Sequence, residues 1–330
     1  MCIFSKKCPT KEVDIRQPQF DETTYWGRVK EYFFLNNPLF AFASHNFLEC
    51  CKEIVDLYLI KKLEPPCPTK VELWNAKFLV DACYHPDTGE LVEYPARRAT
   101  RIIFNSLLVG GMLAYYKNMI AIGALQTVNQ GFNAFVISCN RTRKQEISDE
   151  SLYKACGAAT IVAVAAAIGL GTVCKKMYDK LYWRSVPFVA VALADCVRVP
   201  LLRSCDLNGG VPLVDTRGIP MGWSTSAARK AVGDDILCRI MMAAPPLLLT
   251  PLLCNHLERT GTFCRYPWLN FPAHLLMVAF CITFLTPLMK GLFENRGVMW
   301  VADVEDDAYC AMKFHPSRLE YERDLPMDQQ

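Results

Sequence analysis

Apolar positions fall into two regimes along this chain. Up to about residue 95 they recur at helical spacing. Phe47, Cys50, Cys51, Ile54, Val55 and Tyr58 lie three and four residues apart, and Val71, Trp74, Phe78 and Leu79 share one face of a second short helix. Pro65, Pro66 and Pro68 break the chain between them. From Ile102 onward the amphipathic pattern gives way to long uncharged runs. A helix that crosses a bilayer needs roughly 20 mostly apolar residues. Ile102–Tyr116 is short, with Lys117 placed to snorkel and extend it. Asn118–Asn140 is uncharged but studded with amides. Ala155–Cys174 is the cleanest run, and Gly157, Ala158, Gly169 and Gly171 let neighbouring helices approach closely. Ser185–Leu202 is apolar apart from Asp195 and Arg198. Ile240–Leu257 holds Pro245, Pro246 and Pro251. Tyr266–Met289 is long, with Tyr266 and Trp268 at one end like interfacial anchors.

The pattern therefore predicts an all-α membrane protein with about five transmembrane helices. They lie near 102–117, 154–174, 184–202, 238–257 and 267–289, within a membrane domain spanning 99–292. The amide-rich segment 118–140 is either a sixth span or a re-entrant piece. An N-terminal soluble helical region, 1–98, precedes the spans, and a short C-terminal tail, 293–330, follows them. A polar turn or small hairpin is expected around Gly218 and Gly222, with Ser224 capping the next helix. No stretch repeats at a fixed period.

Composition agrees. Of 330 residues, 52% are apolar and 21% charged, and the charges crowd toward both ends. A net charge of +3, without a basic cluster interleaved with aromatics, gives no nucleic-acid footprint. The partners implied are the lipid bilayer and a small solute. The 16 cysteines are scattered, many inside apolar runs, and read as reduced structural thiols. Met1–Phe20 lacks a continuous apolar core and carries Glu12 and Asp14, which disfavours a secretory signal or a cleaved presequence. The Lys and Arg bias at the span ends is slight. Arg97, Arg98 and Arg101, with Lys175, Lys176, Lys180 and Arg184, place the N-terminus on the positive side and the C-terminus opposite.

Four features bear on chemistry. His85-Pro86-Asp87-Thr88-Gly89-Glu90 is a turn by composition. Asp-Thr-Gly invites comparison with an aspartic protease, but that chemistry needs two closely placed carboxylates on a β-rich fold. His85, Asp87 and Glu90 are metal-ligand types, yet no other histidine lies near in sequence. Gln126, Asn129, Gln130, Asn133 and Asn140 fall on one helical face. Such a stripe is either interhelical glue or a polar lining for a zwitterion, because amides donate and accept without fixed charge. Asp195 and Arg198 are three apart inside a span, where ionisable groups are expensive and tend to be functional. Pro245, Pro246 and Pro251 free backbone carbonyls, either in a broken helix of the kind where transporters place substrate or in a merely structural kink. There is no nucleophile–base constellation, phosphate loop or metal-ligand spacing, so neither an enzyme nor a cofactor is expected.

The hexapeptide at this distance before a first span resembles the sideroflexin family. Phe20-Asp21 and Thr24-Tyr25-Trp26-Gly27-Arg28 resemble that family's N-terminal signature. Asn129-Gln130, Asn133-Ala134 and Asn140-Arg141 resemble its asparagine-rich motif. Pro187-Phe188, Gly210-Val211-Pro212, Arg239-Ile240, Pro245 and Thr286-Pro287 agree further along. The resemblance implies a mitochondrial inner-membrane protein with five spans and a matrix-facing N-terminus, carrying small neutral amino acids, serine foremost, in support of one-carbon metabolism. It leaves open a non-transporting scaffold or assembly role linked to iron or the respiratory chain. Asn129, Gln130, Asn133, Asn140, Asp195 and Arg198 are the expected substrate-binding positions, with no metal and no cofactor. The chain departs from the family in two places. Where the usual pattern resembles Ala-Asn-x-x-Asn-x-Pro, it has Ala194-Asp195-Cys196-Val197-Arg198-Val199-Pro200, two amides replaced by an opposite-charge pair that is either a structural replacement or an altered substrate preference. The family's Asn-Lys-Gly-Leu ending is replaced by Leu325-Pro326-Met327-Asp328-Gln329-Gln330.

Overall fold

The structure is a computed structural model that describes residues 13–60, 68–116, 118–141, 147–174, 183–215, 219–300 and 318–322. Lys117, Pro65, Pro66, Lys175, Lys176, Lys180, Gly218 and the chain's last residues lie outside the described segments.

Helices start where a side chain can meet the backbone N–H groups left without partners in the first turn. Thr24 accepts from Gly27 N at 3.1 Å and opens α1 (Tyr25–Leu35). Thr69 and Glu72 form a reciprocal capping box at the head of α3 (Lys70–Cys83). Between them, α2 (His45–Leu59) packs Leu48, Cys51 and Val55 against Leu73, Trp74, Phe78 and Leu79 of α3. The spacing argument thus locates both helices, although Phe47 and Val71 face outward. The N-terminal region is also anchored to the bundle. The Tyr25 hydroxyl donates to Leu288 O at 3.1 Å, and Arg28 Nε donates to Gly291 O at 3.0 Å.

The bundle comprises α4 (Arg98–Ala114), α5 (Met119–Asn140), α6 (Asp149–Cys174), α7 (Val186–Leu202), α8 (Thr225–Arg259) and α9 (Asn270–Gly291). Among the described residues, three helices are long and apolar enough to cross a membrane: α6, α8 and α9, of 26, 35 and 22 residues. α4 and α7 have 17 residues each. At 1.5 Å per residue that is about 26 Å, against a hydrocarbon core of about 30 Å. The segment expected as a sixth span or a re-entrant piece is one continuous 22-residue helix, α5. Ile161 and Ile168 of α6, Leu253 of α8, and Leu276 and Phe280 of α9 are exposed, an apolar exterior suited to lipid. Small residues set the helix spacing. Ala159 and Ala163 of α6 meet Ala194 of α7, and a Cβ at Gly110 of α4 would lie 3.2 Å from Leu275 Cα of α9.

The chain is not all-α. After α7 a hairpin forms from β1 (Val211–Asp215) and β2 (Pro220–Ser224), and beyond α9 come β3 (Arg296–Trp300) and β4 (Arg318–Glu322). They make one antiparallel sheet in the order β2-β1-β4-β3, with Val214 opposite Glu320 and Asp215 opposite Leu319. The expected C-terminal tail therefore completes a sheet begun in the loop between α7 and α8. Val211, Leu213, Met299 and Tyr321 pack its inner face onto Ala227, Ala228 and Ala231 at the head of α8. Ser224 caps that helix, accepting from Ala227 N at 3.2 Å.

Candidate functional site

The amide stripe lies on the inward face of α5. Gln126, Asn129 and Gln130 are buried, and Asn133 and Asn140 are half-buried, while Ile120, Val128 and Phe135 face outward. The buried face of α5 is thus rich in amides, and its outward face carries large apolar side chains. Asn118 starts it by accepting from Ile120 N and Ala121 N. Its far end is clamped: Asn140 Nδ2 donates to Val136 O at 2.9 Å and to Ala96 O at 3.1 Å.

The hexapeptide supplies the second half of that clamp. His85 Nδ1 accepts from Asp87 N and Thr88 N at 3.2 and 3.3 Å, and its Nε2–H donates to Arg141 O at 3.0 Å. Gly89 takes a positive φ of 66°, as a turn residue without a Cβ can, and Lys52 donates to its carbonyl. Pro86, Asp87, Thr88 and Glu90 belong to this turn, which fixes the position of α5 and lines no part of the bundle interior. Among the described residues no group of three or more His, Cys, Asp or Glu is placed to hold a metal ion.

On α7, Asp195 and Arg198 form an ion pair whose side chains are each 7% exposed. Arg198 also donates to Gln130 Oε1 at 3.3 Å, joining the pair to the stripe. Beside them lies a cavity of about 50 Å³ bordered by Arg101, Asn133, Asn140, Arg198 and Arg239. The structure thus brings together Gln130, Asn133, Asn140, Asp195 and Arg198. Asn129 is buried without bordering the cavity, and among the described residues fully buried Gln126 has neither amide atom hydrogen-bonded.

Pro245 and Pro251 are not at this site. Pro245–Leu249 forms a π-helical turn beside another at Cys281–Leu285 in α9. Pro246 has no N–H to offer Met242 O, and the Thr286 hydroxyl approaches that carbonyl at 3.5 Å. The Pro251 carbonyl is met by Arg184 Nη1 at 3.4 Å. The proline-rich stretch is a packing feature joining α8 to α7 and α9.

Four charged residues of the bundle escape sequence reading. Asp235 and Arg239 of α8 pair at 3.0 Å, with Asp235 fully buried. They are four apart, against three for Asp195 and Arg198, and they straddle a span edge, with Asp235 in the expected loop and Arg239 at the start of the span expected near 238–257. Arg184, expected in a loop, is 2% exposed and bonds Glu258 at 2.5 Å and the Tyr116 hydroxyl at 3.2 Å. It ties together the ends of α4, α7 and α8. Arg101, expected as a flanking charge, borders the cavity.

Outside the bundle, a larger cavity of about 1120 Å³ separates the N-terminal region from the sheet. Glu31 borders it, and burial, reinforced by Glu22 and Asp81, raises its carboxyl to about 7, against the lowering effect of a hydrogen bond from Phe20 N.

Residues 14–325 match the model of the family Sideroflexins. The chain belongs to the sideroflexin family. It is 35% identical to Sideroflexin-1 of Rattus norvegicus over 92% of its own length and 94% of the rat protein. It is 37% identical to Sideroflexin-1-3 of Drosophila melanogaster over 94% and 97% of the two chains, and 34% identical to human Sideroflexin-3 over 90% and 92%. No solved structure matches it.

Proposed function

We propose that this sideroflexin carries small neutral amino acids, serine foremost, across the mitochondrial inner membrane by alternating access, and so supplies one-carbon metabolism. The N-terminal region faces the matrix and the C-terminus the intermembrane space. The observation behind this reading is the buried network of Gln130, Arg198 and Asp195 beside a cavity within the bundle. Its charges sum to zero, as do those of an amino-acid zwitterion, and its amides supply donors and acceptors to both ends of such a solute. Membership of the sideroflexin family supports the reading.

A second reading is a membrane scaffold that assembles iron-handling or respiratory proteins. The four-stranded sheet and the N-terminal helices, both outside the bundle, favour it as contact surfaces. Alanine at Gln130 and Asn133 separates the two. In vesicles containing the purified protein, the carrier reading expects serine uptake to fall at least tenfold, while exposed substitutions on the sheet, such as Trp223→Ser, leave it unchanged. Folded wild type that takes up no serine above empty vesicles favours the scaffold.

A further inference from the structure

We propose that Arg101 and Asn133 form the subsite for the substrate's carboxylate; this rests on the carrier reading. Charges and hydrogen-bond donors around the cavity do not balance. Three guanidiniums border it: Arg101, Arg198 and Arg239. Arg198 is neutralised by Asp195 and Arg239 by Asp235. Among the described residues Arg101 has no side-chain hydrogen bond or ion pair, so the cavity carries one unmatched positive charge. Asn133, half-buried at the same cavity, is also without a hydrogen-bond partner among them. Arg101 is half-buried, so its charge is only partly hydrated and an anion entering the cavity gains a direct partner.

The shape of the missing anion follows from the donors. Arg101 offers a planar fork that matches two carboxylate oxygens, and the Asn133 amide adds a further N–H. A cavity of about 50 Å³ takes a group the size of a carboxylate or a few waters, not a whole drug-sized ligand. Asn140 completes the pattern. Its Nδ2 is committed to two backbone carbonyls, which leaves Oδ1 as the acceptor for an ammonium group next to the carboxylate. The site thus reads α-amino acids through the carboxylate and the ammonium group beside it.

The experiment uses the full chain in liposomes and in detergent. Labelled serine uptake is measured for wild type, Arg101→Gln and Arg101→Lys, with serinamide (no carboxylate) and lactate (no ammonium) as competitors. Binding of serine, lactate and ethanolamine is followed in parallel by thermal shift. Arg101→Gln is expected to raise KM for serine at least tenfold, equal to about 1.4 kcal/mol, with kcat changed far less. It should also abolish competition by lactate, while Arg101→Lys keeps part of it. Serine uptake with an unchanged KM in folded Arg101→Gln overturns the carboxylate subsite and leaves the carrier standing. Arg101-dependent binding of lactate and serine without any uptake keeps the subsite and removes the carrier. No binding and no uptake by folded wild type removes both.

Discussion

Replacing Asp195 by Ala leaves the Arg198 guanidinium inside the bundle without its carboxylate. Both side chains are 7% exposed, so neither is hydrated freely. Removing one partner of a buried ion pair typically costs about 3–5 kcal/mol, most of it the burden of the stranded charge. Three features pull the value to the lower end. Arg198 keeps Gln130 Oε1 at 3.3 Å, the neighbouring cavity of about 50 Å³ admits water, and an unfolded chain within the membrane finds partners of its own. The expected loss is about 3 kcal/mol. Asp195→Asn retains an acceptor oxygen and should lose less, about 2 kcal/mol. Adding Arg198→Asn to it removes the stranded charge, so the double variant should be more stable than Asp195→Asn alone. The Glu150–Lys154 pair, 76% and 72% exposed, is the control: Lys154→Ala should change stability by no more than about 0.5 kcal/mol. Equilibrium unfolding in mixed micelles reads all of these. The reasoning fails if Asp195→Ala matches the Lys154 control, or if the double variant is no more stable than the single.

Three further outcomes are expected. Glu31 binds its proton more tightly folded, at about 7, than unfolded, so its contribution to stability is full below the unfolded carboxylate range and is lost as pH rises through 7. Wild type should therefore lose thermal stability between pH 6 and pH 8 relative to Glu31→Gln; parallel profiles would contradict this. Arg184→Gln should loosen the junction of α4, α7 and α8 and raise the maleimide reactivity of Cys254, a free buried thiol one turn from Glu258, as read by peptide mass spectrometry. Unchanged labelling of Cys254 would mean the tie is not what seals it. Gly110→Val adds bulk where a Cβ alone would lie 3.2 Å from the α9 backbone, and should destabilise by about 1–3 kcal/mol; a neutral result in micelle unfolding would refute the close α4–α9 contact.

The helical regions were legible because their cause is local. Uncharged length marks α6, α8 and α9, and spacings of three and four mark α2 and α3. The sheet was half legible. Its hairpin follows from turn residues near Gly222, but β4 pairs with β1 across about a hundred residues, and no periodicity encodes such a pairing. At the candidate site, the stripe and the Asp195–Arg198 pair stood out because polar residues in an apolar run are anomalous. Arg101, Arg184, Asp235 and Arg239 did not, because a charge at the edge of a run looks like a flank. Whether it points to solvent or into the bundle depends on how the helices pack. The prolines left a broken helix and a structural kink both open, and Thr286 of α9 meets the Met242 carbonyl that Pro246 frees.

Uptake of labelled serine by liposomes containing the purified protein tests the central claim most directly. The account predicts saturable uptake above that of empty vesicles, competed by unlabelled alanine and cysteine and lowered at least tenfold by alanine at Gln130 and Asn133. Uptake no greater than that of empty vesicles, with the protein shown to be folded and correctly inserted, would contradict it.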